Sequence, residues 1–405
     1  MWDNDEVRPS ASKKKVYLAL GVILLLLLSA GLFYLFPFGF AGQPSLQASK
    51  RQPSIISSKT YVNVGNILAL TGDSTGFWRI SQKDGSVTIN RFGLSGNTDW
   101  VGEYSLNEPV WDVNGRQVIL ADRQSGQAYL FTDIGGMNNS VLLNGQPQVV
   151  AVAETGHFMV CSLPEDGDLS SLQPNVEYYS PQGERLFGVS LENAAPLLAE
   201  VNQNGTQLFL VVSKIVDDGI ENHLISYSDS GQVLWSSSLP AGAVAGLTVK
   251  TFGDRLAVAV DKLILFYSGM GQLLWQSAAQ GIVHDMAFIG QSDQLVYSEQ
   301  KVSVLSFQKQ SLLSSLSADG SVLWQYRLKG EVPDLVGGTS ALSVFVGNEL
   351  AVHDVGTDGK VRWSHPISAD AGKGELLQAR LAAGGDGSAV LVQLSDGRMF
   401  VLRGE

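Results

Sequence analysis

Short apolar runs separated by turn residues recur along most of the chain, and residues 243–277 show the pattern most clearly. The runs are AVAGLTVK (243–250), RLAVAV (255–260), LILFYS (263–268) and QLLWQS (272–277). Runs of this length that are rich in β-branched and aromatic residues and end in glycine or polar turns are typical of antiparallel strands. The pattern predicts a unit of four short strands.

A glycine-to-tryptophan phrase marks the last strand of such units. The phrase occurs as GQVLW at Gly231, GQLLW at Gly271, GSVLW at Gly320 and GKVRW at Gly359, with a weaker copy, GERLF, at Gly183. Glycine supplies the positive φ that tight hairpin turns require. A repeat of about 40 to 50 residues is that of a four-stranded propeller blade. The sequence therefore predicts an all-β propeller.

The strand after each of these glycines is apolar at consecutive positions, as in Val233, Leu234 and Trp235. This predicts a last strand buried on both faces between stacked blades. One large aromatic residue per blade would then dock each blade on its neighbour. We assign this structural role, and not sugar stacking, to Phe187, Trp235, Trp275, Trp324 and Trp363.

The run DGSVLWQYRL (319–328) and its copies resemble the blade motif of the quinoprotein-like, or PQQ-like repeat, β-propeller superfamily, over roughly residues 107–403. That superfamily contains pyrroloquinoline-quinone dehydrogenases and the propeller lipoprotein of the outer-membrane assembly machinery. The motif is specific for the fold and weak for function. In the dehydrogenases the cofactor rests on a vicinal disulfide and a calcium ion, whereas this chain has one cysteine, Cys161. The resemblance therefore implies a non-enzymatic branch without PQQ or another cofactor.

The number of blades follows less directly from the pattern. Candidate units begin near residues 61, 107, 147, 196, 243, 283 and 333, and a strand pair occupies about 378–403. If that pair joins N-terminal strands around NILALTG (66–72), strands from both chain ends close the ring. We favour seven blades, with eight as the alternative. The unit at 284–324 contains one apolar run too many for four strands.

A charge-free run of 21 residues, Val16–Phe36, precedes the repeats. As a helix it would span roughly 30 Å of hydrocarbon, so it predicts one transmembrane helix. A cleaved signal peptide is the alternative, although the run is longer than a typical signal-peptide core. Lys13, Lys14 and Lys15 adjoin its N-terminal side, which predicts a cytoplasmic N-terminus and an extracytoplasmic propeller. The expected organisation is 1–15 cytoplasmic, 16–36 transmembrane, 37–58 linker and 59–405 propeller.

Composition agrees with this interpretation. The 44 glycines and the low charged fraction of 16% suit many short strands with tight turns. The formal net charge is −12, and a surface of that sign disfavours nucleic acid as a partner. Cys161 lies in the apolar run HFMVCSL (157–163) and is expected to be a buried, inert thiol.

Two candidate loops are unusually acidic: PEDGDLSSLQPN (164–175) and IVDDGIEN (215–222). Both should connect the second and third strands of consecutive blades, and would therefore lie side by side. A solvated surface is one interpretation; a docking patch for a basic partner or a weak calcium site is the other. The candidate docking residues are Glu165, Asp166, Asp168, Asp217, Asp218 and Glu221.

No catalytic or metal-binding motif accompanies these loops. The five histidines have no HxH, HExxH or HxxxD neighbourhood, and the chain has no GxSxG motif. We therefore expect no enzyme, but a membrane-tethered scaffold that binds envelope or membrane proteins. The alternatives are a ligand-binding sensor ectodomain and an extracytoplasmic lyase or hydrolase with carboxylates in the central funnel. Acidic pairs in the funnel would favour that enzyme, and a narrow or apolar channel would oppose it.

Overall fold

A computed structural model of the chain describes residues 46, 51–61, 65–134, 136–164, 173–216, 219–249, 255–290, 293–302, 309–332, 335–338, 340–346, 350–367, 379–384 and 387–404. The chain divides into two units, Met1–Pro44 and Ser45–Glu405, and the described residues belong to the second. No helix among them is long and apolar enough to cross a membrane. The predicted transmembrane run, residues 16–36, lies outside the described residues.

The described residues form 32 strands in eight four-stranded antiparallel sheets. The first strand, β1 (Ser54–Thr60), belongs to the last sheet. Blades 1 to 4 comprise β2 (Asn66–Gly72), β3 (Gly76–Lys83), β4 (Ser86–Gly93), β5 (Thr98–Ser105); β6 (Pro109–Asn114), β7 (Gln117–Asp122), β8 (Gln127–Thr132), β9 (Gly136–Leu142); β10 (Gln146–Val152), β11 (Phe158–Leu163), β12 (Asn175–Tyr179), β13 (Arg185–Ser190); and β14 (Ala194–Val201), β15 (Gln207–Val216), β16 (Gly219–Ser228), β17 (Val233–Leu239).

Blades 5 to 7 follow in the same up-and-down order, and blade 8 takes its outermost strand from the N-terminal side of the domain. Their strands are β18 (Val244–Val249), β19 (Arg255–Val260), β20 (Leu263–Ser268), β21 (Leu273–Ala278); β22 (Ile282–Ile289), β23 (Gln294–Val302), β24 (Lys309–Leu316), β25 (Val322–Lys329); β26 (Leu335–Gly337), β27 (Ala341–Val346), β28 (Ala351–Gly356), β29 (Val361–Pro366); and β30 (Ala379–Gly384), β31 (Ala389–Leu394), β32 (Arg398–Arg403) with β1.

The preference for seven blades is wrong, because the seven candidate units and the C-terminal fragment belong to eight separate sheets. The C-terminal fragment supplies three strands and pairs with β1, Thr60 opposite Arg398 and Ser54 opposite Arg403. Closure by strands from both chain ends is therefore confirmed, but residues 66–72 begin blade 1 instead of completing the last blade. β1 itself starts within the segment expected to be a linker. The unit at 284–324 also has four strands, since β23 runs on to Val302.

The apolar core is divided into eight clusters, each between two neighbouring blades. Phe77 and Phe92 of blade 1 pack with Leu391 and Val401 of blade 8, which closes the ring. The middle strands are the most buried; every residue of β27 and β31 is buried. Stacked sheets thus bury both faces of their central strands, as blade packing requires.

The outermost strands differ from expectation. Val233 and Leu234 are 59% and 51% exposed, so the prediction that this strand is buried on both faces is wrong. The reason is a β-bulge. Tyr227 lies opposite Val233 and Ser226 opposite Trp235, so Leu234 is the extra residue on its strand. A register shift occurs at the corresponding place in all eight blades. The bulge turns two consecutive side chains toward solvent and the aromatic residue inward.

The strand order defines two rims for the ring. The turn rim carries the turns between first and second strands and between third and fourth strands. The connection rim carries the turns between second and third strands and the links from one blade to the next. The glycine of each glycine-to-tryptophan phrase lies on the turn rim, and the acidic loops were predicted on the connection rim.

Candidate functional site

The predicted acidic docking patch is described only at one position. Glu165, Asp166, Asp168, Asp217 and Asp218 lie outside the described residues. Glu221 lies on β16 opposite Lys214 of β15. Its side chain is 57% exposed, and its Oε2 is 3.3 Å from Nε2 of His223. The patch thus stays a prediction, with Glu221 exposed on the connection rim.

The segment 215–222, predicted as a loop, is mostly strand. β15 and β16 each contain ten residues and pair as far as Ile215 opposite Ile220 and Val216 opposite Gly219. Only residues 217–218 connect them, so blade 4 has longer strands and not a longer loop. Ile215 and Ile220 are 59% and 69% exposed. Periodicity could not reveal this, because residues 215–222 carry polar and acidic letters typical of a loop. The hairpin presents apolar side chains beside Glu221.

The aromatic residues of the outer strands lie at the boundaries between blades. The ring of Trp235 lies against Gly271, and its Nε1 donates to the Gly269 carbonyl at 2.7 Å. Trp275 repeats the arrangement against Gly320, with Nε1 2.8 Å from the Ala318 oxygen. The remaining predicted docking aromatics also lie against a glycine of the following blade or, for Trp363, of the C-terminal residues: Phe187 against Gly231, Trp324 against Gly359 and Trp363 against Gly404.

The packing of these aromatic rings explains why the glycine-to-tryptophan phrase is repeated. Each turn glycine has a positive φ, 81° at Gly271, and no Cβ, so the aromatic ring of the preceding blade can lie on its Cα. The indole N–H then satisfies a carbonyl of the same turn. Each motif thus has two structural roles. Its glycine forms the hairpin turn and packs against the aromatic residue of the preceding blade, and its own aromatic residue packs against the glycine of the following blade.

Two carboxylates lie on the innermost strands, which surround the central channel. Asp112 is on β6 of blade 2 and Glu200 on β14 of blade 4, and both are half-buried. Val152 N donates to Asp112 Oδ2 at 2.8 Å. Burial raises the pKa of Asp112 to about 6, partly offset by backbone N–H groups. Burial, and then repulsion from Asp112, raises the pKa of Glu200 well above its ordinary value. Such pairs hold a proton near neutral pH.

This pair predicts a pH-dependent stability. A carboxyl group whose pKa is higher in the folded state destabilises the fold as pH rises from about 4 through that folded pKa. Glu200→Gln should therefore raise the melting temperature by a few degrees at pH 8, and the gain should shrink toward pH 4. Thermal unfolding followed by circular dichroism at several pH values checks this. Glu221→Gln, an exposed site, should have no such effect; equal gains at pH 4 and 8 would contradict the prediction.

Two His-Asp pairs lie at positions that are not equivalent in the ring. His284 and Asp285 lie on the inner strand β22, and His353 and Asp354 on the third strand β28. His353 is fully buried, with Nδ1 2.9 Å from Ser364 Oγ, which is a core hydrogen bond. Beside His284 and Asp285 is a cavity of about 60 Å³ that Gly246 and Met286 also line. This volume suits one or a few water molecules and is far below that of a typical ligand pocket.

Cys161 is fully buried within the cluster between blades 3 and 4, as predicted. Burial raises the pKa of its thiol to about 12. A thiol in this state is a poor nucleophile and a poor metal ligand. Across the part of the chain that the structure describes, no group of three or more His, Cys, Asp or Glu side chains is placed to hold a metal ion.

Sequence reasoning missed a buried arginine at the seam of the ring. Arg79 of β3 is 4% exposed; its Nε and Nη2 donate to Asn90 Oδ1 at 3.1 and 2.8 Å, and its Nη1 donates to Gln393 Oε1 of blade 8 at 3.2 Å. Its guanidinium lies 4.3 Å from the centre of the Tyr61 ring, directly after β1. Burial lowers the pKa of Arg79. A charged residue between apolar neighbours in GFWRIS was the available signal.

Comparisons with known proteins agree with this architecture. A family model described as outer membrane protein assembly factor BamB matches residues 221–402. No curated protein matches the sequence. Among solved structures, BamB from Moraxella catarrhalis is 12% identical, with a TM-score of 0.53 over 87% of this chain and 99% of that chain.

Two further solved propellers show comparable similarity. The C-terminal WD40 domain of Sif2 is 12% identical, with a TM-score of 0.55 over 89% of this chain and 99% of that domain. Sqt1 from Saccharomyces cerevisiae is 10% identical, with a TM-score of 0.55 over 87% and 99%. Identities this low establish the fold and no more. The described residues thus form an eight-bladed β-propeller, and residues 221–402 are similar to the PQQ-like repeat family. Within that class the chain resembles the propeller lipoprotein of the outer-membrane assembly machinery.

Proposed function

We propose that this protein is a non-enzymatic interaction scaffold, tethered to the cell membrane by residues 16–36 with the propeller on the extracytoplasmic side. The observation that carries the scaffold role is the rigid ring itself: eight blades with a packed cluster between each pair, presenting exposed apolar and acidic groups on its surface. Rigid frameworks that display surface segments are typical recognition modules. The likeness to an assembly factor supports protein partners.

The tether and its orientation rest on the sequence. The 21 apolar residues and the three preceding lysines support a single span with a cytoplasmic N-terminus. Within the propeller, Cys161 is buried and unpaired, so the domain is stabilised by packing and not by disulfides. Envelope or membrane proteins with a basic surface are the partners that a net charge of −12 favours.

The test is in-cell crosslinking followed by affinity purification of the full-length protein. The variant changes the six candidate docking carboxylates to amides: Glu165, Asp166, Asp168, Asp217, Asp218 and Glu221. A control variant neutralises exposed Glu184, Asp229 and Asp319 on the turn rim. We expect one defined envelope protein to co-purify with the wild type and the control, and to be lost with the six-site variant.

Two arms of the experiment separate the parts of the proposal. Alkaline extraction and protease accessibility of the propeller in intact cells test the tether and its side. If the protein resists extraction but captures no partner, the scaffold role fails while the tether stands. If both variants retain the partner, the acidic patch is not its docking surface.

One observation favours an enzyme as a second candidate function. Asp112 and Glu200 have raised pKa values on the channel-lining strands, the property expected of general acids. Hydrolytic activity that Glu200→Gln abolishes without loss of folding would favour the enzyme over the scaffold.

A further inference from the structure

Blade 7 already carries an additional segment of polypeptide on its outer edge. The amide N–H of Ser364 in β29 donates to the carbonyl of Arg51 at 3.2 Å, and Pro53 beside it is buried. Leu46, from the same part of the chain, is 5% exposed and packs in the cluster between blades 6 and 7, where Val361 also lies. The outer strand of blade 7 is thus covered by the chain's own N-terminal segment, through both main-chain and apolar contacts.

The burial of equivalent positions shows what this cover does. In blade 7, Val361 is half-buried, and Trp363 and Ser364 are 5% and 3% exposed. In blades 4 and 5 the same bulge and register recur, and none of the described residues adds a further strand there. There the positions equivalent to Val361 are 59% exposed at Val233 and 44% exposed at Leu273. The positions equivalent to Ser364, which are Ser236 and Gln276, are exposed.

The outer edges of blades 4 and 5 each expose aliphatic side chains. Each bulge exposes a pair, Val233 with Leu234 and Leu273 with Leu274, and Met270, 83% exposed, lies in the intervening turn that contacts Trp235. The strands themselves, VLWSSSL and LLWQSA, contain no charged residue in a chain of net charge −12. Exposed aliphatic clusters of this kind on a soluble surface mark interaction sites. An uncharged edge strand offers main-chain groups to another chain.

We propose that the outer edges of blades 4 and 5 bind a segment of a partner polypeptide in the way that blade 7 binds residues 51–53. A partner carbonyl accepts the amide N–H of Ser236 or Gln276, and partner aliphatic side chains cover the two bulge pairs. This is recognition by strand addition, in which main-chain hydrogen bonds give affinity and side-chain contacts give selectivity. It rests on the proposed scaffold function and names the chemistry of its partner.

The probe is a fluorescent synthetic peptide with the sequence of residues 46–57, LQASKRQPSIIS, because Leu46 and Arg51 within it contact the equivalent edge of blade 7. It is added to the full-length protein in detergent micelles, with a photoreactive amino acid at position 234, 274, 362 or 99. Asp99 is the matched control, since it occupies the second bulge position of blade 1 and is polar. We expect crosslinks at 234 and 274 and none at 99.

Two variants separate the main-chain from the apolar contribution. Gln276→Pro removes an amide N–H from an edge strand, where proline is tolerated, and Leu274→Asp places a charge on the aliphatic surface. Each should weaken peptide binding at the blade 5 edge by at least about tenfold, which corresponds to about 1.4 kcal/mol, while Asp99→Asn leaves it unchanged. Circular dichroism confirms that the variants are folded.

Several outcomes would overturn the proposal. Crosslinking only at 362 would mean that the peptide exchanges with the chain's own segment on blade 7. Crosslinks between two protein copies without peptide would identify a second copy as the occupant, and crosslinks to detergent or lipid alone would identify an amphiphile. Binding that survives the double variant Ser236→Pro with Gln276→Pro would exclude strand addition at these two edges. Peptide binding does not depend on capture of a partner in cells, so failure of the scaffold function would be seen separately.

Discussion

Gly271→Ala should destabilise the propeller by about 2 to 6 kcal/mol. An alanine at φ 81° costs about 1 to 3 kcal/mol in backbone strain. Its Cβ would in addition overlap the indole ring of Trp235, which stacks on this turn, and overpacking of that kind adds about 1 to 3 kcal/mol. Thermal and urea unfolding of the variant measure the loss.

The chain offers a matched control for this change. Gly136, in the corresponding turn of blade 2, has a similar φ of 85°, and a Cβ built there meets no atom within 4 Å. Gly136→Ala should therefore cost only the backbone strain, about 1 to 3 kcal/mol. If the two variants unfold at the same denaturant concentration, packing of the aromatic ring on the glycine contributes nothing.

Arg79→Ala should be the most damaging single change at the seam between blades 8 and 1, at about 3 to 5 kcal/mol. It removes a buried side chain, leaves Asn90 Oδ1 and Gln393 Oε1 without their donor, and deletes the contact with the Tyr61 ring. Buried acceptors without a donor each cost about 1 to 3 kcal/mol. Unfolding curves measure the total, and hydrogen exchange within β1 measures the effect on the seam.

Arg116→Ala is the control for this prediction. Arg116 is 49% exposed and pairs with Asp133 at 3.4 Å, so its loss should cost less than about 1 kcal/mol. Arg79→Lys should lie between the two, since it keeps the charge but not the forked geometry. Equal stabilities of Arg79→Ala and Arg116→Ala would show that the seam does not depend on this network.

The fold was predictable from the sequence where turn glycines and apolar runs mark the start and end of each strand. In blade 5, the four predicted strands match β18 to β21 within about two residues at their ends, because turn glycines and apolar runs alternate there without interruption. The exposure of Val233 and Leu234 was not predictable in this way. A bulge adds one residue to a strand, and consecutive apolar letters look the same whether a strand is buried on both faces or kinked outward.

The channel and the seam depend on contacts between distant parts of the sequence. Asp112 and Glu200 belong to different blades, and only closure of the ring places them where one raises the pKa of the other. Likewise SIISSKT (54–60) is a polar, serine-rich run that alone indicates a linker. It is a strand because β32 offers it an edge from the opposite end of the chain. This pairing of β1 with β32 completes a separate eighth blade, which is why the sequence alone did not settle the number of blades.

The pairing of β1 with β32 also sets the order of assembly. The ribosome makes residues 54–60 before almost all of the propeller, and their partner, residues 398–403, among the last. At about 5 to 20 residues per second, the intervening chain takes roughly 15 to 70 s to synthesise. Throughout that interval Ile55 and Ile56 belong to a strand without its neighbour, so blade 8 forms last. Until then this strand is free to pair with another exposed edge.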